Sequence, residues 1–170
     1  MQRFCPIREK MNAEKKQPRA SLLIALAVTV MIVLLPLVAA VIILYLASAT
    51  LLRVLVKILW LSKGNDVLLV YSDSPIWRDH VETHILPLIA ERTVVLNWSE
   101  RKHWKPSLAR WAFFQYGGHR EFNPLGVVFR PWKRAKVFRF WQPFRDFKHG
   151  NRAALDKMKK EFFETLGVQI

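Results

Sequence analysis

From Ala20 to Leu52 the chain runs 33 residues without a charged side chain, with Arg19 before the run and Arg53 after it. A bilayer's hydrocarbon core needs about 20 apolar residues in helical form, so this run is long enough to cross once. A helix covering a soluble core would keep a polar stripe at the 3.6-residue period. Leu22, Leu23, Ile24, Leu26, Met31 to Leu35 and Ile42 to Leu44 leave almost no such stripe. Residues 20–52 are therefore predicted to form a transmembrane helix. Pro36 interrupts its middle and removes one backbone hydrogen bond, which predicts a kink or a bend. A hairpin bent at Pro36 would return the chain to its starting side. Its first arm, Ala20 to Leu35, would be only about 24 Å long at 1.5 Å per residue, so a single crossing is the favoured reading. Beyond it, Arg53 and Lys57 share one helical face, and Leu55, Ile58, Leu59 and Leu61 cover much of the rest. With Trp60 suited to the interface, residues 53–63 read as an amphipathic juxtamembrane helix lying against the bilayer.

The pattern then changes period. Gly64-Asn65-Asp66 is a turn cluster, and Val67 to Tyr71 is a continuous apolar run, the mark of a strand buried on both faces. Ser74 followed by Pro75 is a helix-start signature, Trp77, Val81, His84, Ile85 and Leu88 follow at helical spacing, and Pro87 is expected to end or bend that helix. Thr93 to Trp98 reads as a second buried strand. A helix is expected from Ser107 to Tyr116, closed by Gly117-Gly118. Further strands are expected at Leu125 to Phe129 and Lys136 to Phe140. A last helix should start at Asn151, bury Leu155, Met158, Phe162 and Leu166, and end at Gly167. Strands alternating with helices predict a small, mostly parallel, three-layer α/β domain over residues 64–170. Residues 1–19 form a basic leader ahead of the membrane helix.

Charge narrows the partners. The chain carries 27 Lys and Arg against 13 Asp and Glu, a net charge of +14. Six basic and two acidic residues lie in the leader, and the remaining +10 lies beyond it. Such a surplus favours polyanions, and for a tethered chain the nearest polyanion is the anionic lipid headgroup, ahead of a protein partner or nucleic acid. The single cysteine, Cys5, excludes an intramolecular disulfide and a cysteine-based zinc site. It points to a reducing compartment, so the soluble domain is expected in the cytoplasm. Ala47-Ser48-Ala49 mimics a signal-peptidase site, but a signal h-region spans about 7–15 residues. The run is more than twice as long, which favours an uncleaved signal anchor.

The candidate chemistry lies in three places. In an open α/β sheet, ligands gather at the carboxyl ends of strands, here Ser72, Asp73 and Ser74 and then Asn97, Ser99 and Glu100. Such loops can bind a phosphate or a sugar hydroxyl, or simply cap a helix. No Gly-x-Gly-x-x-Gly or Walker-type loop is present, so no cofactor is expected. Neither does a Gly-x-Ser-x-Gly elbow frame any of the serines. His80 and His84 are four apart but depart from the His-Glu-x-x-His order, and no third ligand is visible, so no metal is expected. The densest segment is Phe129 to His149, where seven aromatics interleave with seven cations. Among those cations Arg130, Lys133, Arg134, Lys136 and Arg139 are the candidate binders of an anionic surface, since rings can enter a lipid interface while cations meet the headgroups.

Asp66 to Asp73, followed by Trp77, resembles the opening strand and helix of TIR domains over roughly the first 35 residues of the soluble part. That resemblance implies NAD-cleaving chemistry, which in the family uses a glutamate in a later Ser/Trp/Cys context. Here Glu121 lies in His119-Arg120-Glu121-Phe122-Asn123, without those neighbours. Two functions of different class follow. The preferred one is a non-enzymatic membrane adapter working through the basic-aromatic segment. The alternative is a small tethered enzyme working at Asp73 and Glu100.

Overall fold

The computed structural model describes residues 6–118 and 123–168; Cys5 and Glu121 lie outside them. The chain divides into two compact units, one ending at Ser48 and the other spanning Ala49–Ile170. Helix α1 (Pro6–Leu59) accounts for the described part of the first. Among the described residues it is the one helix long and apolar enough to cross a membrane, with a candidate span of Ser21–Lys63. Its large apolar side chains from Leu22 to Leu46 are exposed. The helix passes through Pro36 without a break, so no hairpin forms there.

The second unit is built on strands β1 (Val67–Tyr71), β2 (Thr93–Asn97), β3 (Leu125–Arg130) and β4 (Lys133–Arg139). They form one sheet in the order β2-β1-β3-β4. Strand β1 pairs parallel with β2 and antiparallel with β3, and β3 pairs antiparallel with β4. The sheet is thus mixed, which corrects the expectation of a mostly parallel one. Only Pro131 and Trp132 separate β3 from β4, whereas a parallel connection needs about a dozen residues or more, so the chain must reverse there.

All five residues of β1 are buried, as its unbroken apolar run predicts. Val67, Leu69 and Tyr71 face one core, with helices α2 (Arg78–His84), α4 (Trp141–Lys148) and α5 (Ala153–Leu166). Phe144, Phe162 and Phe163 are wholly buried there. A side chain at Gly126 would put its Cβ 3.0 Å from Phe162, so glycine lets that ring approach the sheet closely. Leu68 and Val70 face the opposite core, closed by α3 (Leu108–Tyr116) and by Leu52, Val56 and Trp60. These last three recur every fourth residue, one stripe of a helix. The sequence reading laid residues 53–63 on the bilayer; in the structure that stripe is buried against the sheet, while Val54, Ile58 and Leu59 stay exposed.

Local signals held in part. Ser107 caps α3, accepting from the Arg110 amide at 3.2 Å, and Gly167 closes α5 at φ 70°. Ser74 does not cap the next helix. It closes a turn, accepting from the Ile76 amide with its hydroxyl and from the Arg78 amide with its carbonyl, and α2 starts at Arg78. Helix α4 lies in a segment read from sequence only as basic and aromatic. At the base of the sheet, Arg92 grips the Asp66 carboxylate with two nitrogens and donates to the Leu166 carbonyl at 3.0 Å. One side chain so joins both strand starts to the end of α5.

The core placement makes a prediction. A fragment starting at Ala49 should unfold cooperatively, and one starting at Gly64 should lose that transition, since it lacks Leu52, Val56 and Trp60. Leu52→Ala in the longer fragment should cost about 2–5 kcal/mol, the range for truncating a buried leucine. Chemical denaturation followed by circular dichroism measures both.

Candidate functional site

The loops at the carboxyl ends of β1 and β2 do come together. The Asn97 side-chain amide donates to both Asp73 carboxylate oxygens at 3.1 and 3.2 Å. The Asp73 amide donates to Ser99 Oγ at 3.0 Å, and the Ser99 amide donates to Asn97 Oδ1 at 2.9 Å. Arg78 reaches Asp73 at 3.4 Å and Glu82 at 3.1 Å, and the Tyr71 hydroxyl donates to Glu82 at 3.0 Å. Burial and the neighbouring Glu82 carboxylate push the Tyr71 hydroxyl pKa up. Trp77 Nε1 donates to Ser72 Oγ at 3.3 Å. Ser72, Asp73, Asn97 and Ser99 therefore spend their hydrogen bonds on one another and on the adjacent helix. Ser74 belongs to the turn described above, and Glu100 is exposed. The arrangement clamps two loops and presents no assembled nucleophile and base.

His80 and His84 stack with ring centroids 4.6 Å apart and planes 14° from parallel. His80 also meets the Phe144 ring edge-on at 5.2 Å, and its Nε2 is buried without a hydrogen-bond partner. Among the described residues, no group of three or more His, Cys, Asp or Glu side chains converges as a metal site would require. Packing against the α4 rings accounts for the pair.

The third place is a groove. The end of the β3–β4 hairpin lies beside the last turns of α1, and between them is a cavity of about 400 Å³. Arg130, Lys133 and Arg134 line it from the hairpin, and Arg53 and Lys57 from the helix. Val54, Leu61, Tyr116 and Phe129 supply apolar wall, and among the described residues no acidic side chain lines it. Among the described residues, none of the five cations joins an ion pair. Arg130 donates to the Arg134 carbonyl at 2.9 Å, which fixes its guanidinium across the hairpin neck, while its Nε is buried without a partner. Trp132, at the tip, is 87% exposed, and Lys57 Nζ sits 3.7 Å from its ring centroid. The favourable cation–ring contact offsets part of the cost of gathering like charges.

Three of the five cations singled out from sequence thus share the groove. The other two do not. Lys136 turns to the opposite sheet face, donating to Glu161 at 2.6 Å, and holds that carboxyl below its usual pKa. Arg139 donates to the Gly117 carbonyl at 3.2 Å, where the negative end of α3 favours a cation. Arg53 and Lys57, missed from sequence as groove residues, had one legible signal, their four-residue spacing on one helical face. Comparison of the chain with protein-family models, curated proteins and solved structures returns no match in any of the three. The TIR resemblance at Asp66 to Trp77 gains no support from them.

His80 supplies a test of the packing. Burial first, and then Lys159, His84 and Arg152, lower its pKa to about 4 from an ordinary value of 6.5. The unfolded chain therefore takes up a proton that the folded chain refuses between those values, and stability falls as pH drops through that window. Thermal unfolding of Ala49–Ile170 at pH 7 and pH 5 should show a larger fall for the native sequence than for His80→Gln. Equal falls would mean that His80 is not held neutral by its packing.

Proposed function

We propose that this chain is a membrane-anchored, non-enzymatic interaction module whose basic α/β domain docks on an anionic lipid surface. The observation that carries this reading is the groove, in which five cations and an exposed tryptophan gather, with no ion pair and no carboxylate there among the described residues. These charges are spent on no carboxylate among the described residues, in contrast to Arg92 with Asp66 and Lys136 with Glu161. Tryptophan beside lysine and arginine is the combination that settles at headgroup level, the ring in the interface and the cations against phosphate. The loops around Asp73 are already satisfied internally, which favours a structural part for them over catalysis.

In this reading the uncharged run crosses the bilayer once, ahead of Leu52, as an uncleaved signal anchor, and the domain faces the cytoplasm, where anionic lipids give the leaflet its negative surface potential. Protease added to intact cells should then leave the domain whole, and degrade it only after lysis. Digestion without lysis would place the domain outside.

The docking itself is tested by flotation of Ala49–Ile170 with vesicles. Binding should require phosphatidylserine or phosphatidylglycerol in a phosphatidylcholine background and should weaken as salt is raised. Each cation near such a surface is worth about 1 kcal/mol, so replacing Arg130, Lys133 and Arg134 together by Gln should weaken binding by about two orders of magnitude. Binding that ignores both salt and the three replacements would point to a protein partner or to another surface.

A further inference from the structure

Resting on that reading, we propose that the groove is a stoichiometric site for one lipid headgroup carrying more than one negative charge. A diffuse basic face needs no cavity, and this one has a space of about 400 Å³, within the range of small-molecule sites. Its charge is concentrated. Arg53, Lys57, Arg130, Lys133 and Arg134 surround a single volume, and among the described residues that line it no carboxylate offsets their repulsion. A phosphodiester with one charge would leave most of that repulsion in place, whereas a phosphomonoester or a pair of phosphates would relieve more of it. The donors also differ in kind. Three arginines offer planar forks for paired contacts to phosphate oxygens, and the lysines serve as point charges. Arg130 is held for this task by its bond to the Arg134 carbonyl, so less freedom is lost when an anion arrives.

The choice of a lipid over a free phosphate compound rests on two observations. Arg53 directly follows the uncharged run of Ala20 to Leu52 in sequence, which places its side chain where a membrane helix meets headgroups. Trp132 stands 87% exposed at the mouth of the groove, with Lys57 over its ring, and an indole so placed can lie along the glycerol and upper acyl region of a lipid.

The test uses the full chain, purified in detergent and examined by native mass spectrometry after addition of one lipid at a time. Phosphatidic acid and diphosphatidylglycerol should each be retained at one copy per chain, phosphatidylglycerol more weakly, and phosphatidylcholine not at all. Arg130→Gln should lower the retention of the multiply charged lipids about tenfold, the scale of a lost charge-assisted fork. Arg53→Gln and Lys133→Gln change exposed side chains and keep the test valid if Arg130→Gln disturbs the hairpin; each should lower retention in the same direction. Lys157→Gln, on α5, removes the same charge and should change nothing.

Equal losses from Lys157→Gln and the groove variants would overturn the site while leaving diffuse attraction to anionic membranes standing. Absence of any preference for anionic lipid would overturn both. Displacement of the retained lipid by inorganic phosphate at comparable concentration would overturn the lipid assignment. One retained copy, sensitive to the groove variants and indifferent to Lys157→Gln and to phosphate, is the expected result.

Discussion

The constraint on which the rest of the domain depends is the burial of β1 on both faces. Val67 to Tyr71 contains no residue that tolerates water well, and all five are buried. A strand of this kind cannot sit in a sheet with one wet face, so the chain must supply two covers. One comes from α2, α4 and α5, rich in phenylalanine. The other comes from α3 and from the stripe of Leu52, Val56 and Trp60. The segment after the uncharged run is therefore a structural part of the domain. That dual duty explains its composition: apolar residues every fourth position face the sheet, and Arg53 and Lys57 occupy the remaining arc.

The same geometry assembles the groove. Once the helix end is fixed against β1 and β3 by Leu52, Val56 and Trp60, its basic arc is carried beside the β3–β4 hairpin. Trp60 meets Phe129 edge-on, with centroids 5.6 Å apart, and Phe129 is the neighbour of Arg130. An apolar contact thus holds two sets of like charges side by side that electrostatics alone would drive apart. Elsewhere in the domain, cations that lie near carboxylates take them: Arg78 with Asp73 and Glu82, Arg92 with Asp66, Lys136 with Glu161.

Position along the sheet distinguishes the two candidate sites in chemical terms. At the carboxyl ends of the parallel pair, short polar side chains close on one another, and the loops gain rigidity. At the hairpin, long basic side chains project around a cavity with nothing among its lining residues to neutralise them. The first arrangement satisfies its own polar groups; the second gathers like charges around one space.

Sequence alone determined the long apolar helix, the double burial of β1, the strand candidates, the cap of α3 at Ser107 and the end of α5 at Gly167, because each is written in one continuous run or local spacing. The hairpin direction was also present, in the six residues between the strand candidates Leu125 to Phe129 and Lys136 to Phe140, too few for a parallel crossover. Helix α4 was obscured by the very density of aromatics and cations that drew attention to its segment. Only the tertiary structure decided that Leu52, Val56 and Trp60 face a sheet and not a bilayer, since both are apolar and the stripe suits either. It also decided which basic residues share a space. Arg53 and Arg130 are 77 positions apart in sequence, and no local pattern relates them. Lys136 and Arg139 stand within the same short segment as Arg130, yet the pleat and the α3 terminus send them elsewhere. Charge composition is a property of the chain, but the field around a groove depends on distances that folding alone sets.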